Sequence, residues 1–186
     1  MTWSIVALDE SGAFGVAIAT RFFAVGALCP HAESNVGALS TQALINPYYG
    51  PHGLDLLRAG VPAPEVVRQL TAPDEGRDHR QLHVIDSEGR IGQHTGAQCV
   101  DWCGALAGEG FSVAGNMLAN ETVLEETAKV FRESKLPFGE RLIAALGSEV
   151  GAQAAHFKQA SCSRQFPARL RFGRRCPTAA PCSGCT

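Results

Sequence analysis

Thr2-Trp3-Ser4-Ile5-Val6-Ala7 opens the chain as a strand. Trp3, Ile5 and Ala7 alternate with Thr2, Ser4 and Val6, the period of two expected of an extended segment with two distinct faces. A small residue after Met1 permits trimming of the initiator, which would leave Thr2 with a free α-amine. A threonine hydroxyl is a weak nucleophile at neutral pH, but an adjacent amine can accept its proton. With a reference pKa of about 7.7–8.0, that amine is suited to general-base work. Thr2 is therefore the first candidate catalytic residue, against the plainer reading that it is an ordinary starting residue.

Outward from this stretch the punctuation is that of a sheet. Residues 3–8 and 14–20 read as strands around Asp9-Glu10-Ser11-Gly12, a turn. Phe22, Phe23, Ala24, Val25 and Leu28 form an apolar connector, and Val36 through Ala43 is a third strand. Pro51, Gly53, Leu54, Leu56 and Leu57 mark a helix stopping at Gly60, and a second helix follows Pro62 with Val66, Val67 and Leu70 on its apolar side. Pro73 to Arg80 reads as a surface loop. Gln81 to Asp86 and Arg90 to Thr95 read as strands around Ser87-Glu88-Gly89, with a further short strand over Phe111 to Ala114. Residues 118–134 carry the longest helical pattern, and another helix runs from Pro137 to Leu146 before Gly147. Strands, helices, strands and helices in that order predict a layered α/β protein.

The chain has 186 residues, enough for one domain with a substantial core. Residues 1–156 hold 10 Lys/Arg against 18 Asp/Glu, whereas residues 157–186 hold 6 Lys/Arg and no acid. That division predicts a domain over residues 1–156 and an irregular basic, cysteine-rich tail over 157–186. An acidic main body argues against a nucleic-acid platform. No apolar run approaches a membrane span, and Asp9 and Glu10 interrupt the start, so a cytoplasmic protein without membrane association is expected. Cys162, Cys176, Cys182 and Cys185 lie in the tail. Their one Cys-x-x-Cys pair is too little for a zinc site, and no metal is expected.

Other chemistry is sparse. Thr20 and Arg21 close the second strand; Thr41 and Gln42 lie at the end of the third, with Asn46 after them. Polar groups at successive strand ends converge on clefts, which makes Thr20, Arg21, Gln42 and Asn46 candidate substrate-binding residues. Turn bonding is the alternative for Asn46, which precedes Pro47. Asn116, after Gly115, offers an amide N–H to a developing oxyanion, or alternatively a cap for the helix that follows. His79 and His83 are four apart, but not on a helix. Asp86 and Asp101 are lone carboxylates without a glycosidase pairing. Gly104-Ala105-Leu106-Ala107-Gly108-Glu109-Gly110 lacks the lysine and Ser/Thr of a phosphate loop and reads as tight turns. No NAD, ATP or other cofactor is expected.

Taken together, Thr2 to Ala7, Gly15 to Ala27, Thr41-Gln42-Ala43, Asn46-Pro47-Tyr48-Tyr49-Gly50-Pro51, Arg80-Gln81-Leu82, His94-Thr95-Gly96 and Gly115-Asn116-Met117-Leu118-Ala119 resemble the bacterial DUF1028 family over roughly the first 150 residues. The resemblance implies an Ntn-hydrolase-like four-layer αββα sandwich. By fold analogy it implies an amidohydrolase in which Thr2 attacks the carbonyl of a small amide or peptide-like molecule. Some relatives carry a pilus-assembly label, so a non-enzymatic assembly or ligand-binding protein is the alternative. A homodimer is expected from the sheet edges. After Gln159-Ala160-Ser161-Cys162 the chain departs from the family pattern into its basic tail.

Overall fold

The computed structural model describes residues 1–147, so the expectations for the tail lie outside the described residues. The fold is mixed α/β, with two antiparallel four-stranded sheets and four α-helices among the described residues. One sheet has the order β2 (Phe14–Thr20), β1 (Thr2–Leu8), β8 (Phe111–Leu118), β7 (Trp102–Gly108). The other has β3 (Pro30–Glu33), β4 (Gly37–Ala43), β5 (Arg80–Asp86), β6 (Ile91–Thr95). Helices α1 (Tyr49–Arg58) and α2 (Ala63–Thr71) pack on the second sheet, while α3 (Thr122–Glu133) and α4 (Phe138–Leu146) pack on the first. The sheets face each other through β1, β4, β5 and β8.

The alternation of β1 explains how this packing arises. Trp3, Ile5 and Ala7 join Phe111, Val113, Val123, Leu124 and Phe131 beneath α3 and α4. Val6 points the other way and meets Ala38 and Ile85 between the sheets. Leu39, Leu82 and Val84 turn from the second sheet toward α1 and α2, where they meet Leu57, Val66 and Leu70. A side-chain period of two therefore feeds three apolar clusters, and both faces of the central strands are buried. Each large aliphatic side chain fully buried here stabilises the fold by about 1.5–3 kcal/mol relative to exposure.

Between the sheets the character changes along the strands. Val6, Ala38 and Ile85 are apolar. Ser4, Ser40, Gln42, Gln81, His83, Ser112 and Asn116 are polar and buried. Burial of so many polar groups is tolerable where they satisfy one another.

Several elements differ from the sequence reading. Gly104 to Gly110 is not a run of turns: most of it belongs to β7, closing at Gly110 with φ 71° before β8. Its Ala and Gly content carries weak strand propensity, and pairing with β8 supplies the order. Gly108 is required there because a Cβ would run into the Phe111 ring. Strand β3 was hidden by its length and by Pro30, a residue tolerated at the start of an edge strand. The helix expected from residue 118 begins at Thr122, because β8 continues through Leu118. Asp86 is not an idle carboxylate. It accepts from the Ala63, Glu88 and Arg90 backbone N–H groups and from Arg90 Nε, capping α2 and closing the β5–β6 turn. No helix among the described residues is long and apolar enough to cross a membrane.

Candidate active site

Thr2 begins β1, and the register sets Thr20 of β2 opposite it on one side and Asn116 of β8 on the other. The three stand in a row across the sheet and line a cavity of about 570 Å³. Arg21 and Gln42 also line it. Asn46 does not. It lies in a separate cleft beside Asp74, to which it donates its amide at 3.1 Å, and its carbonyl accepts from the Tyr48 N–H. Asp74 gathers Tyr49, Arg80 and the Gly76 N–H as well. Burial would raise this carboxyl, but the bonds from Arg80, Tyr49 and Asn46 outweigh it and hold the group far below the usual range. Asn46 is thus part of a structural knot, in keeping with its turn alternative.

Thr2 Oγ1 lies 2.8 Å from Thr20 Oγ1. Thr20 donates to the Met1 carbonyl at 3.0 Å and accepts from the Phe22 N–H at 3.1 Å. Thr20 has spent its hydrogen, so Thr2 is the donor of the pair. The Met1 ammonium lies 3.2 Å from Met117 Sδ. Burial lowers this ammonium below the ordinary α-amine range; Arg21 lowers it further and Asp101 opposes the fall. Cys29 and Cys99 also reach the cavity wall. Burial pushes Cys29 up to about 11 and raises Cys99, so both thiols stay protonated and are poor nucleophiles.

Asn116 lies beside an irregularity in the β7–β8 pairing. The β7–β8 register shifts between Trp102 and Gly104, and Met117 takes a left-handed φ of 55°. Ala24, Ala43 and Asp101 have positive φ as well, at 55°, 64° and 55°. Ala43 and Met117 line the cavity, and Asp101 follows the lining residue Val100. Conformations of this kind are costly for non-glycine residues and concentrate where a backbone serves a site.

Behind Asn116 lies a network the sequence reading missed. Asn116 donates from Nδ2 to Gln81 Oε1 at 3.0 Å, and Gln42 donates to the same oxygen at 2.8 Å. Gln42 gives its other hydrogen to Ala114 O, and Ser4 donates to Gln42 Oε1 at 2.7 Å. Since Ser4 has used its hydrogen, His83 Nε2, 2.8 Å away, must donate to Ser4. His83 Nδ1 then accepts from Ser112 at 2.9 Å, and Ser112 accepts from Gln93. One tautomer of a neutral imidazole satisfies the chain. Burial pushes His83 down to about 3, although its bond with Ser112 works the other way.

These hydrogen bonds set Gln42 apart from Asn116. Gln42 lines the cavity, but its amide is committed within the protein and holds no hydrogen for a substrate. Asn116 keeps one Nδ2 hydrogen and its carbonyl without partners among the described residues. The signal for the network is present in the sequence, as Gln81 and His83 alternate with Leu82 and Val84. Among the described residues, no group of three or more His, Cys, Asp or Glu is placed to hold a metal ion.

The family model DUF1028, described as a family of unknown function, matches residues 2–162. A crystal structure of a DUF1028 protein from Silicibacter pomeroyi is similar at 35% identity and a TM-score of 0.78, covering 81% of this chain and 68% of that one. No curated protein matches.

Proposed function

We propose, on the premise that this chain belongs to the DUF1028 family, that it is an amidohydrolase of the N-terminal-nucleophile type acting on a small amide. The packing of α1 and α2 on one sheet and α3 and α4 on the other supports reading the fold as an Ntn-hydrolase-like αββα sandwich. The observation that carries the function is the row Thr20, Thr2 and Asn116 lining one cavity.

Removal of Met1 frees the Thr2 amine. Thr2 Oγ attacks the amide carbonyl carbon while its proton passes to that amine. The oxyanion takes a hydrogen bond from the uncommitted Nδ2 hydrogen of Asn116, a donor already fixed in place by Gln81. The C–N bond breaks as the ammonium returns its proton to the leaving nitrogen, and an acyl ester on Thr2 remains. Water, deprotonated by the same amine, cleaves the ester and restores the hydroxyl. Gln42 and Gln81 act behind Asn116, holding it in place.

Intact mass of the purified chain tests the first requirement: a species lacking one methionine is expected. Retention of Met1 in all the folded protein would overturn the mechanism. The exposed aromatics Phe22 and Phe23, at 59% and 90% exposure, favour a second reading, a ligand-binding or assembly protein. Hydrolysis of simple amides that requires the Thr2 hydroxyl separates the two.

A further inference from the structure

We infer that the cavity receives the acyl half of the substrate, and that this half is a hydrocarbon group without positive charge: the substrates are apolar N-acyl amides. The inference rests on the hydrolase reading and adds the substrate class. Phe22, Val25, Leu44, Ile45, Val100 and Met117 are apolar residues lining the same cavity as Thr2. Among the described residues, no Asp or Glu lines this cavity, whereas Arg21 does. A positively charged acyl group would lose its hydration there without gaining a carboxylate from the lining. Asp101 influences the Met1 amine but is not on the wall.

Met1 supplies a second, independent observation. It is itself an acyl group carried on the Thr2 nitrogen. Its carbonyl oxygen accepts the Thr20 hydroxyl at 3.0 Å, and it packs against the apolar cluster of Trp3 and Leu118 while lining the cavity. The surroundings of Thr2 thus already accommodate an apolar group next to a hydrogen-bonded carbonyl. The cavity volume of about 570 Å³ suits a ligand larger than an acetyl group.

The test uses the full chain carrying Thr2→Ala, which binds without turnover, and four p-nitroanilides: acetyl, butanoyl, hexanoyl and 6-aminohexanoyl. Calorimetry is expected to show affinity rising about three- to fourfold per added methylene. The 6-aminohexanoyl compound should bind about tenfold or more weaker than the hexanoyl one. A second substitution, Leu44→Asp at a position 61% exposed, should weaken hexanoyl binding by a larger factor than acetyl binding. A flat chain-length series, or equal affinity for the cationic compound, overturns the substrate class. Release of p-nitroaniline by the chain with Thr2 intact reports separately on hydrolysis. Graded binding without release would uphold the apolar acyl site while removing the hydrolase, and release at equal rates from acetyl and hexanoyl compounds would do the reverse.

Discussion

Asn116 and Gln42 share a single acceptor, Gln81 Oε1, at 3.0 and 2.8 Å. One fully buried glutamine therefore orients a candidate oxyanion donor and ties it to the opposite sheet. Gln81 Nε2 in turn lies 2.8 Å from Gly115 O and 3.0 Å from Gly104 O, fastening β8 beside the irregularity in its pairing with β7. Replacing Gln81 with Leu strands two buried donors at once. The expected loss is about 2–5 kcal/mol, measured by urea unfolding, since each unsatisfied buried group costs roughly 1–3 kcal/mol. A change under about 0.5 kcal/mol would mean that the amides find other partners.

Thr2→Ala removes the proposed nucleophile and one bond to Thr20. Stability should fall by less than about 1.5 kcal/mol, while amide turnover should drop by about a thousandfold or more. Thr2→Ser should retain measurable turnover, because it restores a hydroxyl at the same atom. Full activity in the alanine variant would refute covalent chemistry at this residue.

His83 makes stability depend on pH. An unfolded imidazole takes up a proton below about pH 6.5, whereas His83 in the fold resists protonation to about pH 3. Between those values the unfolded chain binds more protons, so stability falls as pH falls. The slope should approach about 1.4 kcal/mol per pH unit. Asp74 and Asp86, both held below the ordinary carboxylate range, add their own loss at lower pH. Urea unfolding between pH 6.5 and 4.5 should therefore show a slope that His83→Gln flattens, and an unchanged slope would show that another group is responsible.

Asp86→Ala removes the acceptor for three backbone N–H groups and for Arg90. A destabilisation of about 2–4 kcal/mol is expected from the lost cap and the orphaned donors. Hydrogen exchange should quicken first in the opening turn of α2 and in the turn before Arg90. Protection lost evenly across the chain would contradict a local role.

Gly92→Ala places a Cβ against the Ala63 carbonyl, which belongs to the backbone at the start of α2 and has little freedom to withdraw. The variant should lose about 1–3 kcal/mol. Thermal melting of Gly92→Ala beside Gly139→Ala, where the added Cβ meets no atom within 4 Å, isolates the steric effect. Equal melting temperatures would argue that the contact relaxes.

Much of this architecture is legible from one residue to the next. The period of two in Trp3, Ile5 and Ala7 and the Pro/Gly punctuation of α1 and α2 locate their elements, because local propensity and burial agree there. Strand β7 is obscure because Ala and Gly become extended by pairing with β8, a contact between distant residues. Strand register sets Thr2, Thr20 and Asn116 side by side, and Arg21, just after β2, lines the same cavity. Asn46 is diverted by Asp74, and Gln42 is consumed by Ser4, Ala114 and Gln81. Neither partnership can be read from spacing, since each joins elements far apart in the chain.

The relay from Gln93 to Gln81 has a direction, with every hydroxyl, imidazole and amide passing its hydrogen one way, and Asn116 donates into its end from the other side. Such a chain constrains heredity as well as geometry. Altering Ser4, Gln42, Gln81 or His83 alone breaks the sequence of donors, so these four positions should drift together across related proteins, exchanging as sets while the strands around them vary freely.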